Sequence, residues 1–362
     1  MTIAPSAPHV PGSLPFDDAE QGFLWAGRTW GDRLRRIPDG ETEPLRRAWQ
    51  PFLPWFRANP TIARGADIQF GVDHHEQYHL KEGVEPVFNE PFQYQEWALS
   101  SYEVFRRVRD AGGLPTHARL MVGMPSALDV VVSSVTAQAF RPVLDAYMKQ
   151  LKVSIDTIVD AIPHEDLSFQ LDSVVLSGEW TGGTAEYVEM GLIPDFGLDK
   201  AAMLEITNTQ LAWIPEDVEV GFHLCFGDGN AEGHSEDFEP DKDALPGDIG
   251  SLVAFCNDIV KAAPRPITFL HLATYEHWLE PSAYAPLRDL DVGDAEISLG
   301  VICLRRDPDT ETGVANARKR TESARSIIGD TFGIATTCGM GRFVPEQTDA
   351  AAVLFDELQP YH

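Results

Sequence analysis

His223 and Cys225 stand two residues apart at the end of an apolar run, Val218-Glu219-Val220-Gly221-Phe222. Side chains alternate along a strand, so the two point the same way. An imidazole and a thiolate on one face suit a borderline-soft ion such as zinc. The pair by itself also matches a buried cysteine beside a hydrogen-bonded histidine. A third donor, Cys338, lies just past the run Phe332-Gly333-Ile334-Ala335-Thr336 and is followed by Gly339-Met340-Gly341-Arg342. Glycines there let the backbone turn tightly beside an ion or anion. The expected metal ligands are therefore His223, Cys225 and Cys338.

Other residues fit supporting roles. Asp172, at the end of a strand-like run, is either a substrate contact, a partner to a metal ligand or a helix cap. Arg342 is suited to a substrate carboxylate through a bidentate pair, or to a surface ion pair. His234 lies in a long polar stretch and reads as a solvated loop residue before it reads as a ligand or base. His74, His75 and His79 fall in a polar, irregular segment and are expected to face solvent. Asp39 and Glu41 belong to the turn Arg36-Ile37-Pro38-Asp39-Gly40-Glu41, and forming that turn is their simplest role. Cys256 and Cys303 read as buried small hydrophobes. Phe88, Phe92, Tyr94 and Trp97 are dense enough to wall a pocket, though core packing accounts for them too.

These residues need elements to hold them, and the chain supplies a regular alternation. Helices are predicted over 92–112, 136–162, 199–212, 249–262, 314–329 and 347–358, from apolar positions at steps of three and four. Strands are predicted over 118–124, 167–175, 218–225, 267–272, 295–303 and 332–336. Strands alternating with helices call for parallel pairing through crossover helices. With missing strands supplied by the amino-terminal region, the expected fold is an α/β (β/α)8 TIM barrel with an amino-terminal helical extension. The expected division is a capping extension at 1–65 and the barrel at 66–362. An open doubly wound sheet is the alternative, but no GxGxxG fingerprint follows any strand. The irregular stretch 226–247 follows a strand directly, where barrel active-site loops lie.

Composition sets the class. The 362 residues are 43% hydrophobic and 23% charged, enough apolar matter for a large core. Twenty-eight basic against 56 acidic residues leave a formal charge of −28, which repels phosphate backbones and anionic lipid surfaces. Neither nucleic acid nor membrane is expected as a partner, and the substrate is expected to be a small molecule; nothing points to an oligomeric state. The opening MTIAPSAPHVPGSLPFDDAE has no basic segment leading into an apolar one, and no apolar run nears the roughly 20 residues of a membrane span. Four cysteines without dense spacing suit a reducing compartment, so a cytoplasmic location is expected.

The His-x-Cys at one strand end and the Cys338-Gly339-Met340-Gly341-Arg342 ending resemble the carboxyl-terminal barrel of cobalamin-independent methionine synthase and its relatives, which share a barrel superfamily with uroporphyrinogen decarboxylase. Ser168-Phe169-Gln170-Leu171-Asp172 resembles that family's Gln-x-Asp strand, and the likeness runs over residues 115–345. The segment Arg36 to Glu41 is similar to that of short members with one barrel. The resemblance implies a catalytic zinc on the His, the Cys, a Glu and the late Cys, activating a thiol, with Asp172 contacting substrate. Two departures stand out. His271 occupies the place nearest the expected Glu, with Glu276 a looser candidate, and Ser173-Val174 replace the Glu-Pro after Gln-x-Asp, where the family recognises homocysteine. The implied activity is zinc-dependent methyl or alkyl transfer to a small thiol other than homocysteine. The alternatives are a metal-assisted lyase or decarboxylase releasing a one-carbon fragment from a small substrate, aromatic ones included, and a non-catalytic binding protein.

Overall fold

The six predicted strands pair side by side in one parallel sheet, joined by a seventh from the segment Arg36-Ile37-Pro38. The structure, a computed structural model, describes residues 7–43, 51–70, 73–180, 182, 188–189, 195–226, 246–305, 307 and 309–359. In chain order it begins with helix α1 (Ala19–Trp30), strand β1 (Arg36–Pro38) and helix α2 (Leu53–Ala58). Four short strands follow, β2 (Ile62–Arg64), β3 (Ile68–Phe70), β4 (Asp73–His75) and β5 (Tyr78–Leu80), then helix α3 (Tyr94–Asp110). The alternation proper runs β6 (Arg119–Pro125), α4 (Ala127–Val132), α5 (Ala137–Ala161), β7 (Leu167–Ser173), α6 (Val175–Glu179), α7 (Lys200–Leu211), β8 (Glu219–Leu224) and α8 (Gly250–Ala262). It closes with β9 (Phe269–Ala273), β10 (Glu296–Ile302), α9 (Thr310–Ile328), β11 (Gly333–Thr336) and α10 (Pro345–Leu358).

The main sheet has the order β1-β6-β7-β8-β9-β10-β11, every pair parallel, while β2 with β5 and β3 with β4 form separate antiparallel ribbons. Consecutive strands are neighbours throughout, as helical crossovers on one side produce. The sheet is strongly curled. Arg36, on edge strand β1, bonds Glu219 on β8 and Glu296 on β10, reaching across the concave face. Residues 9–14 run between the two edges: His9 N–H donates to Ile334 O (3.1 Å), and Leu14 N–H donates to Gly40 O (2.9 Å). The segment before residue 65 thus contributes β1 to the sheet itself, so a boundary at 65/66 does not set an extension apart from the sheet.

Local signals account for the helix ends. Asp18 caps α1 by accepting from Gln21 N–H, and Gly31 ends it with φ 52°. Asp309 likewise caps α9 through Thr312 N–H, and the helix starts four residues before the predicted 314 because its first turn is polar. The helices bury Phe105 of α3, Tyr147, Leu151 and Ile155 of α5 and Phe255 of α8 in the core, Phe255 against Phe222 of β8. Phe88, Phe92 and Tyr94 are buried with Trp55 and Tyr147 in one aromatic cluster, with Trp97 half-buried beside it, so they pack core. No helix among the described residues is long and apolar enough to cross a membrane.

The concave face is tiered. At the strand starts Arg119, Glu219, Arg36, Glu296 and Arg35 form a chain of ion pairs, with the Arg36 guanidinium 4.5 Å above the Phe269 ring. A middle level holds His9, Gln170 and Phe269. At the strand ends Asp172, His223 and His271 are direct register partners on β7, β8 and β9.

Candidate functional site

Two of the three register partners at the strand ends, His223 and His271, are held by one hydrogen-bonded system. His223 Nδ1 lies 2.6 Å from His271 Nδ1, and His271 Nε2 lies 3.0 Å from the carbonyl oxygen of Thr336 at the end of β11. The rings stack, with centroids 4.8 Å apart, and His9 stacks on the other face of His271 at 5.2 Å. Two glycines make this possible. A Cβ at Gly221 would stand 2.2 Å from the Phe269 carbonyl oxygen, and one at Gly300 would stand 2.8 Å from Thr337 Cα and 3.1 Å from His271 Nε2. Glycine lets β8, β9 and β10 approach closely enough for the rings to meet.

The Cys338 thiol hydrogen-bonds to His223, bringing together two of the donors singled out in the sequence. Cys338 is exposed, on the loop after β11, and its position is fixed from below by Ser13. Ser13 O accepts from Met340 N–H (2.6 Å) and Ser13 Oγ from Gly341 N–H (3.2 Å), while a Cβ at Gly339 would come within 2.4 Å of Ser13 Oγ. Cys225 is partly buried one residue past β8, with its N–H bonded to Ser173 O. Arg342 is partly buried on the Cys338 loop.

Among the described residues, no group of three His, Cys, Asp or Glu side chains is spaced as the ligands of one metal ion would be. The donor kinds nevertheless fit zinc: one imidazole with its other nitrogen already held, and two cysteines, one just past β8 and one on the loop after β11. His271 does not fit the fourth place given to it in the sequence reading, since both its ring nitrogens are engaged by His223 and Thr336.

Asp172 sits beside this system. Its Oδ1 accepts from Gln170 Nε2 (2.8 Å), which also donates to Pro11 O, so Gln170 Oε1 is left to accept from His9 Nε2 (2.9 Å). Burial, reinforced by the nearby Glu41 carboxylate and opposed by His223, pushes the Asp172 pKa up to about 8. Burial disfavours charge on His223 as well, but the Cys338 hydrogen bond and thiol with the Asp172 and Glu41 charges outweigh it and raise its pKa. Burial, with His223 and His9 alongside, holds His271 well below the ordinary range, and burial with Arg36 pushes His9 down to about 3.

Glu41 is more than a turn residue. It has φ 52°, the sole positive value outside glycine among the described residues, and its N–H donates to Asp39 Oδ1 (3.1 Å), whose Oδ2 accepts from Ser101 Oγ (2.6 Å). Its Oε1 lies 3.8 Å from where a Gly123 Cβ would be, and Asp172 Oδ2 lies 3.5 Å from the same point. Two carboxyl groups thus share the space a side chain at 123 would fill. Sequence reasoning missed this, and missed His9, a lone histidine between prolines with no periodic signal. His234 lies outside the described residues, as do the side chains of His74 and His75; His79 is exposed on β5. Cys256 is fully buried with its thiol pKa pushed up by that burial, and Cys303 is buried against Thr337, as expected.

A raised carboxyl pKa has a thermodynamic signature. Relative to its ordinary 3.8, an Asp172 pKa of about 8 means the folded state holds the proton more tightly. The stability this gives is fully present below pH 3.8 and is lost as pH rises through about 8. Asp172→Asn keeps the acceptor for Gln170 but has nothing to ionise. Metal-free Asp172→Asn is therefore expected to gain on the wild type by several kcal/mol between pH 4 and pH 9, at about 1.4 kcal/mol per tenfold change in proton affinity. Thermal melts of both proteins across that range check it; melting temperatures that run parallel would remove the protonated carboxyl.

Neither a protein-family model nor a curated protein sequence matches this chain. Solved structures do. A B12-independent methionine synthase from Shewanella sp. W3-18-1, in complex with selenomethionine, superimposes with TM-score 0.59 at 12% identity, over 98% of each chain. A putative vitamin-B12-independent methionine synthase from Listeria monocytogenes matches with TM-score 0.50 at 16% identity, over 95% of this chain and 87% of the other. At these identities the likeness is one of fold, and the chain shares the architecture of methionine synthase-like barrels along nearly its whole length.

Proposed function

We propose that this chain is a zinc-dependent methyl- or alkyl-transferase acting on a small thiol or related acceptor other than homocysteine, built on an eight-fold barrel whose eighth position is filled by the segment at His9. The observation that carries the reading is the meeting of Cys338, on the loop after β11, with His223 at the end of β8. Cys225, next along from His223, completes the ligand set. Zinc held there would act as a Lewis acid that lowers the pKa of a substrate thiol. The chain's own residues do the rest. Thr336 and His271 hold His223 in place, Asp172 and Glu41 present carboxyl groups to the polar part of the substrate, and Arg342 orients an anionic part. Ser173, whose Oγ bonds Asp129, stands where the resembling family has a Glu, which supports an acceptor other than homocysteine. None of the four cysteines is disulfide-bonded, which supports a cytoplasmic setting.

One observation favours the lyase alternative. A carboxyl with pKa about 8 carries a proton at neutral pH and can deliver it to carbon after a one-carbon fragment leaves. Metal analysis of protein purified without chelator, followed by product analysis with candidate thiols, separates the readings. Near one zinc per chain and an alkylated thiol are the expected results. A one-carbon fragment released with no acceptor thiol would establish the lyase, and absence of both zinc and turnover would leave a binding protein.

A further inference from the structure

His9 reaches Asp172 through one intermediary. It belongs to the segment that runs between β11 and β1, where its N–H donates to Ile334 O and where Pro8 and Pro11 restrict the backbone on either side. Its Nε2 lies 2.9 Å from Gln170 Oε1. Gln170 is fully buried in the middle of β7, with both its N–H groups and its oxygen engaged. One N–H donates to Pro11 O and the other to Asp172 Oδ1 at 2.8 Å. A backbone carbonyl only accepts, so the amide nitrogen faces Pro11 and the amide oxygen faces His9, which makes His9 the donor. Without that donor a buried oxygen is left unpaired, and rotating the amide to relieve it withdraws an N–H from Asp172.

We propose that His9 is a positioning residue that locks the Gln170 amide, so that Gln170 holds Asp172 by Oδ1 and leaves Oδ2 turned to the space above Gly123. Asp172 Oδ2 and Glu41 Oε1 lie 3.5 Å and 3.8 Å from where a Cβ at 123 would stand. The two oxygens of a carboxyl group are equivalent until a neighbour binds one of them, and Gln170 makes that distinction. The aim of Asp172 is thus set from the amino-terminal segment, on the far side of the concave face. His9 also stacks on the His271 ring, with centroids 5.2 Å apart, so packing is the competing role. The two roles use different parts of the imidazole, its N–H and its ring face, and substitutions separate them.

His9→Phe keeps a ring and loses the donor, whereas His9→Gln loses the ring and keeps an N–H on a flexible side chain. The first measurement is the 15N–1H signal pair of the Gln170 side chain in the full-length protein, identified by its loss in Gln170→Leu. Wild type and His9→Gln are expected to share its shifts and its slow deuterium exchange. His9→Phe is expected to shift the pair and to speed its exchange about tenfold, the scale set by an unpaired buried acceptor. The second measurement is the carboxyl 13C signal of Asp172 at one fixed pH, identified by its loss in Asp172→Asn, which is expected to move in His9→Phe and to stay in His9→Gln. An unmoved Gln170 pair in His9→Phe, or an equal loss in His9→Gln, would leave His9 a packing residue. A Gln170 pair that moves while the Asp172 signal stays would cut the link to the carboxyl and overturn the proposal. Neither measurement involves turnover, so a failure here is distinct from a failure of the transferase reading, on which only the use made of Asp172 rests.

Discussion

Cys338→Ser, purified without chelator, is expected to retain less than about one-tenth of the wild-type zinc and to lose more than about 100-fold in transferase activity. Changes to residues that merely support a ligand cost about 10- to 100-fold, and loss of a ligand must exceed them. The physical reason is ionisation. A thiol deprotonates readily on meeting zinc, while a serine hydroxyl at the same place gives up its proton far less easily. Cys225→Ser is expected to behave alike. Cys256→Ser is the control, because that thiol is buried on α8, away from the strand ends, and its pKa is pushed up by burial. Zinc content by mass spectrometry and thiol alkylation by product assay check the set. A Cys338→Ser protein with full activity and no metal would end the zinc mechanism.

The second large effect belongs to the other end of the strands, at their starts. Arg36→Leu is expected to destabilise the protein by about 3 kcal/mol, near the lower end of the cost of removing one partner from a buried ion pair. Arg36 has a side-chain exposure of 6% and bonds both Glu219 and Glu296. The loss is tempered because Arg119 remains on Glu219 and Arg35 on Glu296. Burial opposes charge on Glu296, but the Arg36 charge and hydrogen bond, with those of Arg35, outweigh it and lower its pKa. A lowered carboxyl pKa gives stability that is present above the ordinary 4.5 and is lost as pH falls through the folded value. Urea midpoints are thus expected to fall with acidification below pH 4.5 in the wild type and to fall less steeply in Arg36→Leu. An unchanged midpoint at pH 7 would show that the flanking arginines suffice.

Much of this architecture was legible because its signals are local. Helix α5 announces itself by Leu144, Leu151, Ile155 and Ile158 on one face and stops before Pro163; α3 stops before Gly112-Gly113. Strands β6 to β11 carry runs long enough to read, and each was placed within about two residues. Strand β1 was not legible: three residues, Arg36-Ile37-Pro38, offer no period, and only pairing with Arg119 to Met121 makes them a strand. The same holds for the ribbons between 62 and 80. In the site, residue type and strand end were enough to bring His223, Cys338 and Asp172 to one level. They were not enough for His271, since its identity as a nitrogen donor says nothing of what already occupies its two nitrogens. Glu41 required knowledge of its left-handed backbone and of the space at Gly123, both properties of contacts far apart in sequence.

Ser13 and Gly341, which meet beneath the Cys338 loop, are 328 positions apart. A contact of such separation forms only after all the chain between its two ends has been made, and closing so long a loop is slow. During synthesis the helices and inner strands can form while Cys338 is still in or near the ribosome, so its thiol would dock only after the strands that carry its partners.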